Sequence, residues 1–239
     1  MQSYTRHQLK EDKFQEVTRG AIAQAQEHRK QLIVGTIALL AVVIVAGGFG
    51  FWRNQQEDLA SAGVGEAMNT YSAPIRTADA PVDPTILSFT SAAERDKQAE
   101  QQFDAVANKY PHVAAGKNAR YMAGVVALDA GNYASAESNF KQAAEKGGKE
   151  LSSLAKMGLA SVYEATNRNQ DAIKTYNELV NKPTESVSRE RAQFALAALY
   201  EKVDPVQAKK MYDQLAADKS PAIAQIAKQR QTALGGNKQ

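Results

Sequence analysis

Cysteine is absent from the 239 residues. That excludes disulfide scaffolds, thiolate zinc sites, iron–sulfur clusters, cysteine nucleophiles and a lipidated N-terminal cysteine. Histidine occurs only at His7, His28 and His112, spaced too widely to suggest a shared metal or catalytic centre. No nucleotide-binding glycine loop, nucleophile elbow or His-x-x-x-His pair is present, so the residue patterns that mark enzymes are missing. The sequence therefore leads us to expect no enzyme, no metal and no cofactor. Seven prolines and fifteen glycines are too few for a collagen-like or proline-rich chain. Aromatic residues make up only 7%, so any that recur at a fixed interval carry information.

The excess of one charge sign is small. There are 29 Lys and Arg against 26 Asp and Glu, a net charge of +3. Residues 1–30 hold six basic and four acidic groups, which leaves the rest of the chain close to neutral with mixed signs. Nucleic-acid binding concentrates Lys and Arg on one element, with aromatics or glycine among them. No such stripe is present, so no nucleic-acid partner is expected, and no small-molecule substrate either.

Charge is missing altogether from Gln31 to Trp52. At 1.5 Å per residue a helix of this run is about 33 Å long, enough for a hydrocarbon core of ~30 Å. Its twelve Leu, Ile, Val and Phe residues favour membrane insertion by roughly 4–7 kcal/mol. Phe49, Phe51 and Trp52 cluster at its far end, as in an interfacial aromatic belt. A buried soluble helix of this length would carry polar positions, and here only Thr36 interrupts the run. Ala46, Gly47 and Gly48 would suit signal-peptide cleavage. The preceding segment, however, is thirty residues long and contains four acidic groups, unlike a short basic n-region. The expectation is a retained transmembrane helix over 31–53. Lys13, Arg19, Arg29 and Lys30 precede the span and only Arg53 follows closely. The positive-inside rule then puts residues 1–30 in the cytoplasm and the domain 54–239 on the far side. Ala46 and Gly50 form one small-x-x-x-small pair, a weak signal for packing against another span. Within residues 1–30, Leu9, Phe14, Val17, Ala21 and Ala25 are spaced for one helical face. Such a helix would run into the span or be solvated.

Beyond Trp52 there is no sustained period-2 alternation, and the expected class is all-α. What is present is a period of 36 residues. Ala136, Ala172 and Ala208 repeat at that interval, as do Phe140, Tyr176 and Tyr212, and Ala143, Leu179 and Leu215. Gly124 and Ala160 lie twelve residues ahead of the first two alanines. Gly131-Asn132 and Asn167-Arg168-Asn169 supply turns between paired helices, and Asp204-Pro205 an N-cap followed by proline at the first helical position. Each unit is thus a helix–turn–helix whose small residues let two backbones cross closely, with an aromatic filling the space toward the next unit. This pattern resembles the tetratricopeptide repeat. Second helices are expected near 93–110, 132–146, 168–181 and 204–217. The first of these rests on Ala99, Phe103, Val106 and Pro111, with a capping box at Ser91–Glu94. Its partner is expected as a separate helix over 57–72, with Gly63, Ala67 and Tyr71, joined by a loop over 73–90 that holds Pro74, Pro81 and Pro84. The units are longer than a 34-residue repeat, so slightly long turns between them are expected. Leu196 departs from the small residue of the pattern in the third unit. A helix over 221–234, with Ile223, Ile226 and Leu234, should cap the stack and end before Gly235-Gly236.

In tetratricopeptide stacks the first helices line the concave side. By register the lining positions are Asn118, Tyr121, Val125, Leu128, Met157, Ser161, Gln193, Ala197 and Tyr200. Of these, Tyr121, Val125, Leu128, Met157, Ser161, Gln193 and Tyr200 are the candidate partner-binding residues, suited to an extended or helical segment with apolar anchors. The same residues read equally well as core between helices, since apolar residues on repeat helices usually pack inside.

A short cytoplasmic segment, one span ending in Phe51-Trp52-Arg53, and a helical repeat domain beyond it resemble the ancillary subunit of the bacterial Sec translocon. That resemblance implies a single-pass inner-membrane protein whose periplasmic domain associates with the translocon and a membrane-anchored periplasmic prolyl isomerase. Its role would be non-catalytic, handing translocated proteins to chaperones. The alternative is a tetratricopeptide scaffold for envelope assembly or cell division. The segment 1–30 and the loop 73–90 depart from the family pattern.

Overall fold

A computed structural model describes residues 29–77 and 85–236. The amphipathic spacing noted within residues 1–28 lies outside the described residues, as do residues 78–84 of the loop. Among the described residues there are nine α-helices and no named strand. They are α1 (Arg29–Tyr71), α2 (Ala92–Lys109), α3 (Ala114–Asp129), α4 (Tyr133–Lys146), α5 (Gly148–Ala165), α6 (Asn169–Asn181), α7 (Arg189–Val203), α8 (Pro205–Ala216) and α9 (Pro221–Gly236). The chain divides into two compact units, Met1–Asn54 and Gln55–Gln239.

In the first unit the described part is the leading stretch of α1. Every described side chain from Arg29 to Asn54 is exposed, with Val45 at 71% and Phe51 at 75%. The helix is long and apolar enough to cross a membrane, by length and composition. The rings of Phe49 and Trp52 stand 5.9 Å apart. The separate helix expected over 57–72 is not separate. α1 continues unbroken from Arg29 to Tyr71, because Arg53, Asn54, Gln55 and Gln56 contain neither proline nor a residue that must leave the helical backbone region.

In the second unit the helices from α2 onward pack each against the next, and α3 also touches α5. Alanine and aromatic residues build the core. Ala136, Ala172 and Ala208 are all fully buried, and Phe140, Tyr176 and Tyr212 are at most 2% exposed. The alanines admit the close crossing, and the rings fill the space beside it. Phe140 lies between two glycines. A Cβ on Gly124 of α3 would come 2.8 Å from its ring, and one on Gly158 of α5 would come within 2.5 Å. The ring therefore joins its own unit to the next.

The turns repeat as faithfully as the core. Gly131 and Asn167, 36 residues apart, both have positive φ, at 74° and 58°. Around Gly131 the next amide, of Asn132, donates to Ala127 O at 2.8 Å; around Asn167 the amide of Arg168 donates to Tyr163 O at 2.8 Å. These are left-handed helix endings, which glycine and asparagine enter most readily. At the third equivalent point Asp204 instead caps α8 by accepting from Gln207 N at 3.1 Å.

The extra length of the units is not placed uniformly. Between α4 and α5 only Gly147 intervenes and α5 itself is 18 residues long, whereas seven residues separate α6 from α7. The expectation of longer turns fails at the first junction because the spare residues there lengthen α5 instead. At the second, the amide of Ser186 donates to the Glu150 carboxylate of α5 at 2.8 Å and pins the loop. The start of α3 is held in a similar way. Its N-cap Val113 has no side-chain bond, and the Glu57 carboxylate of α1 accepts from the amides of Ala114 and Ala115 at 2.7 and 2.9 Å. A carboxylate at a helix N-terminus satisfies amides that have no intrahelical partner.

Candidate functional site

The surface to be tested is the one formed by α3, α5 and α7, the first helices of successive units. Tyr121, Val125 and Leu128 are half-buried on α3 and pack against a cluster that contains Phe140, Leu159 and Val162. The Tyr121 and Phe140 rings are 5.8 Å apart. Met157 of α5 and Tyr200 of α7 are half-buried against a cluster built on Tyr176, Leu196 and Leu199. Tyr200 also reaches the terminal cluster around Tyr212. Ser161 is half-buried and donates to the Met157 carbonyl at 3.2 Å. Gln193 is half-buried on α7. All seven candidates thus show one side to the helix pack and another to solvent.

Two further lining positions separate. Asn118 is exposed and Ala197 is completely buried, so Ala197 has no surface to offer a partner. Its burial follows from the packing of α7 against α8, in a cluster that also holds Ala208 and Ala227. Burial raises the Tyr121 hydroxyl pKa, and the opposing charge of Arg191 on α7 lowers it. Arg191 is therefore within electrostatic reach of Tyr121, with α5 lying between their helices in chain order.

Polar residues that spacing did not reveal tie helices together, the tyrosines within a unit and the arginines between units. The Tyr176 hydroxyl donates to Glu164 at 2.7 Å, and the Tyr212 hydroxyl to Glu201 at 2.6 Å. Burial foremost, then the bonded carboxylate, pushes both phenols well above their ordinary range. The two acids stand twelve and eleven positions ahead of their tyrosines, and Asp129 also stands eleven ahead of Phe140, so no fixed spacing in the sequence marks the pairs. Arg120 of α3 is bonded to Asp104 at 2.7 Å, to Asn139 at 3.0 Å and to Asn108, linking α2, α3 and α4. Arg168 bonds Glu137 and lies 4.4 Å from the centre of the Tyr163 ring. The hydrogen bond from Arg168 holds the Glu137 carboxyl below its usual range, and Lys141 adds to it.

Among the described residues no group of three or more His, Cys, Asp and Glu is placed to hold a metal. Residues 121–186 match the family described as Tetratricopeptide repeat. The match runs from within α3, through α4, α5 and α6, into the loop before α7. No curated protein and no solved structure matches the chain. The fold is a tetratricopeptide-like helical stack. Such repeats are typically non-catalytic scaffolds that mediate protein–protein interactions.

Proposed function

We propose that this protein is a membrane-anchored interaction module that links the bacterial Sec translocon to periplasmic chaperones, a prolyl isomerase among them. One observation carries this reading. The same chain holds an apolar helix fit to cross a bilayer and a repeat stack whose first helices keep half-exposed Tyr, Met, Val and Leu side chains. In this reading residues 1–30 lie in the cytoplasm, the span anchors the chain in the inner membrane, and the stack extends into the periplasm. Tyr121, Val125, Leu128, Met157, Ser161, Gln193 and Tyr200 contact the partner. Half-buried aromatic and aliphatic residues suit this role, because they present rigid apolar area at low entropic cost and tend to dominate interface energetics.

Affinity purification from detergent-solubilised membranes tests the partner. Recovery of translocon subunits and a periplasmic isomerase supports the proposal, whereas recovery of cell-wall, division or outer-membrane machinery replaces it with an envelope scaffold. Topology is tested separately. The chain has no cysteine, so single reporter thiols at Ser3 and Lys238 have no background. An impermeant thiol reagent applied to spheroplasts should label only the second, and labelling at Ser3 alone would reverse the orientation.

A further inference from the structure

A second surface lies apart from the residues just described. Between the end of α4, the start of α5 and the end of α6 there is an open cavity of about 350 Å³, a size typical of ligand pockets. Three lysines line it: Lys149 and Lys156 of α5, and Lys182 just after α6. Two acids face them, Glu145 and Glu178. Lys156 bonds Glu178 at 2.9 Å. That bond, with the nearby charges of Lys156, Lys174 and Lys182, holds the Glu178 carboxyl below its usual range. Lys156 thus pairs with the ionised Glu178, and with Glu145 exposed in the same wall the lining keeps one net positive charge, carried by the exposed Lys149 and Lys182 at the mouth. α5 begins here with no side-chain bond at its N-cap Gly147, which adds partial positive charge to the same wall.

The remaining lining is apolar or already engaged. Ala144, Leu179 and Pro183 supply carbon surface. Ser152 donates to the Ala144 carbonyl at 2.6 Å, and Ser153 shares a hydrogen bond with Thr184 at 2.8 Å. Every cation in the wall is a lysine, whereas bidentate phosphate recognition favours arginine forks. No aromatic ring lines the cavity for a base to stack on.

We infer that this cavity is a docking site for an acidic peptide segment of a partner protein, with carboxylates at Lys149 and Lys182 and an intervening apolar side chain against Ala144, Leu179 and Pro183. It shares helix α5 with the proposed partner-binding surface but none of its seven residues, and its test does not depend on which envelope proteins that surface binds.

The experiment uses the full chain in mild detergent and a fluorescein-labelled peptide of alternating Glu and Leu, followed by fluorescence anisotropy. Lys149→Glu/Lys182→Glu should weaken binding by about tenfold or more, since two charge-assisted contacts become repulsive. Lys149→Gln/Lys182→Gln should fall between that variant and the parent. A control with the same change in net charge, Lys210→Glu/Lys228→Glu on α8 and α9, should bind as the parent does. Thermal melts of all variants check folding, which is expected to hold because Lys149 and Lys182 are exposed. The inference is overturned if the parent does not bind the peptide, or if reversal at the cavity and at the control sites weakens binding equally. It is also overturned if inorganic phosphate in modest excess displaces the peptide, or if a single-stranded DNA oligonucleotide binds this wall more tightly than the peptide does.

Discussion

The first stretch of α1 and the repeat stack are both rich in Ala, Gly, Val and Leu, yet they use these residues in opposite ways. From Arg29 to Asn54 the described side chains are all exposed, and apolar residues occupy every side of the helix. From α2 to α9 the same residue types form buried stripes, and the alanines at the helix crossings are wholly or almost wholly buried. A helix that is apolar all round has no preferred partner face and suits a uniformly apolar solvent, whereas a striped helix needs another stripe. Glycine shows the contrast at single positions. Gly35, Gly47, Gly48 and Gly50 face open space, while Gly124 and Gly158 hold the Phe140 ring between them.

The largest expected effect breaks the first half of this contrast. Leu40→Arg/Val43→Arg places two charges in the middle of the apolar stretch and should disfavour insertion by about 6 kcal/mol. The chain should then leave the membrane pellet in an alkaline carbonate wash. Retention in the pellet would mean that the stretch does not anchor the protein.

Overpacking sharpens the second half. Ala172 is fully buried in a cluster with Ala160, and Lys174 is exposed two residues on. Ala172→Leu should lower stability by about 1–3 kcal/mol in thermal melts of the full chain in detergent, with Lys174→Leu close to the parent. Gly158→Ala should behave like Ala172→Leu because of the Phe140 ring. Gly65→Ala, with nothing within 4 Å, should stabilise α1 by up to about 1 kcal/mol. Equal effects at Gly158 and Gly65 would contradict the packing described here.

The tyrosine–carboxylate pairs give a smaller effect with a pH signature. Tyr176→Phe should cost about 1 kcal/mol at neutral pH. The folded-state pKa of Tyr176 and Tyr212 is raised, mainly by burial, and that of Tyr71 is raised to about 12, again chiefly by burial and then by its bond to Asp129. A raised phenol pKa adds stability that is fully present below the unfolded value near pH 10 and is lost as pH climbs toward the folded one. Alkaline unfolding above about pH 10 should therefore be steeper for the parent than for Tyr176→Phe, as followed by circular dichroism. The smallest effect is at the acid end. The Glu137 carboxyl is held low by Arg168, so its contribution is present above the ordinary glutamate pKa and fades as pH falls through the folded value. Glu137→Gln should lose slightly less stability than the parent between about pH 5 and 3.

Much of the architecture is legible in the chain because it follows from local rules. The uncharged run from Gln31 to Trp52 needs only length and hydropathy. The 36-residue period of Ala136, Ala172 and Ala208 needs only the fact that two helices cross closely where both side chains are small. The endings at Gly131 and Asn167 need only the backbone freedom of those two residue types. The candidate surface was half legible. Register puts Tyr121, Met157 and Tyr200 on the first helices, but it does not say how much of each ring its neighbours cover, and Ala197 proves to be wholly covered.

What only the tertiary structure decided concerns partners distant in sequence. Glu57 reaches the start of α3, Glu150 reaches Ser186, and Arg120 joins Asp104 to Asn139. The lysine-lined cavity draws its wall from three helices. A side chain's spacing within its own helix fixes its face, whereas its partner across 36 or 57 residues depends on how the helices stack. The same limit explains the spare residues of the repeat. The period requires that they exist, but whether they lengthen α5 or form the loop before α7 depends on whether helical bonds or a carboxylate from a neighbouring helix satisfies their amides.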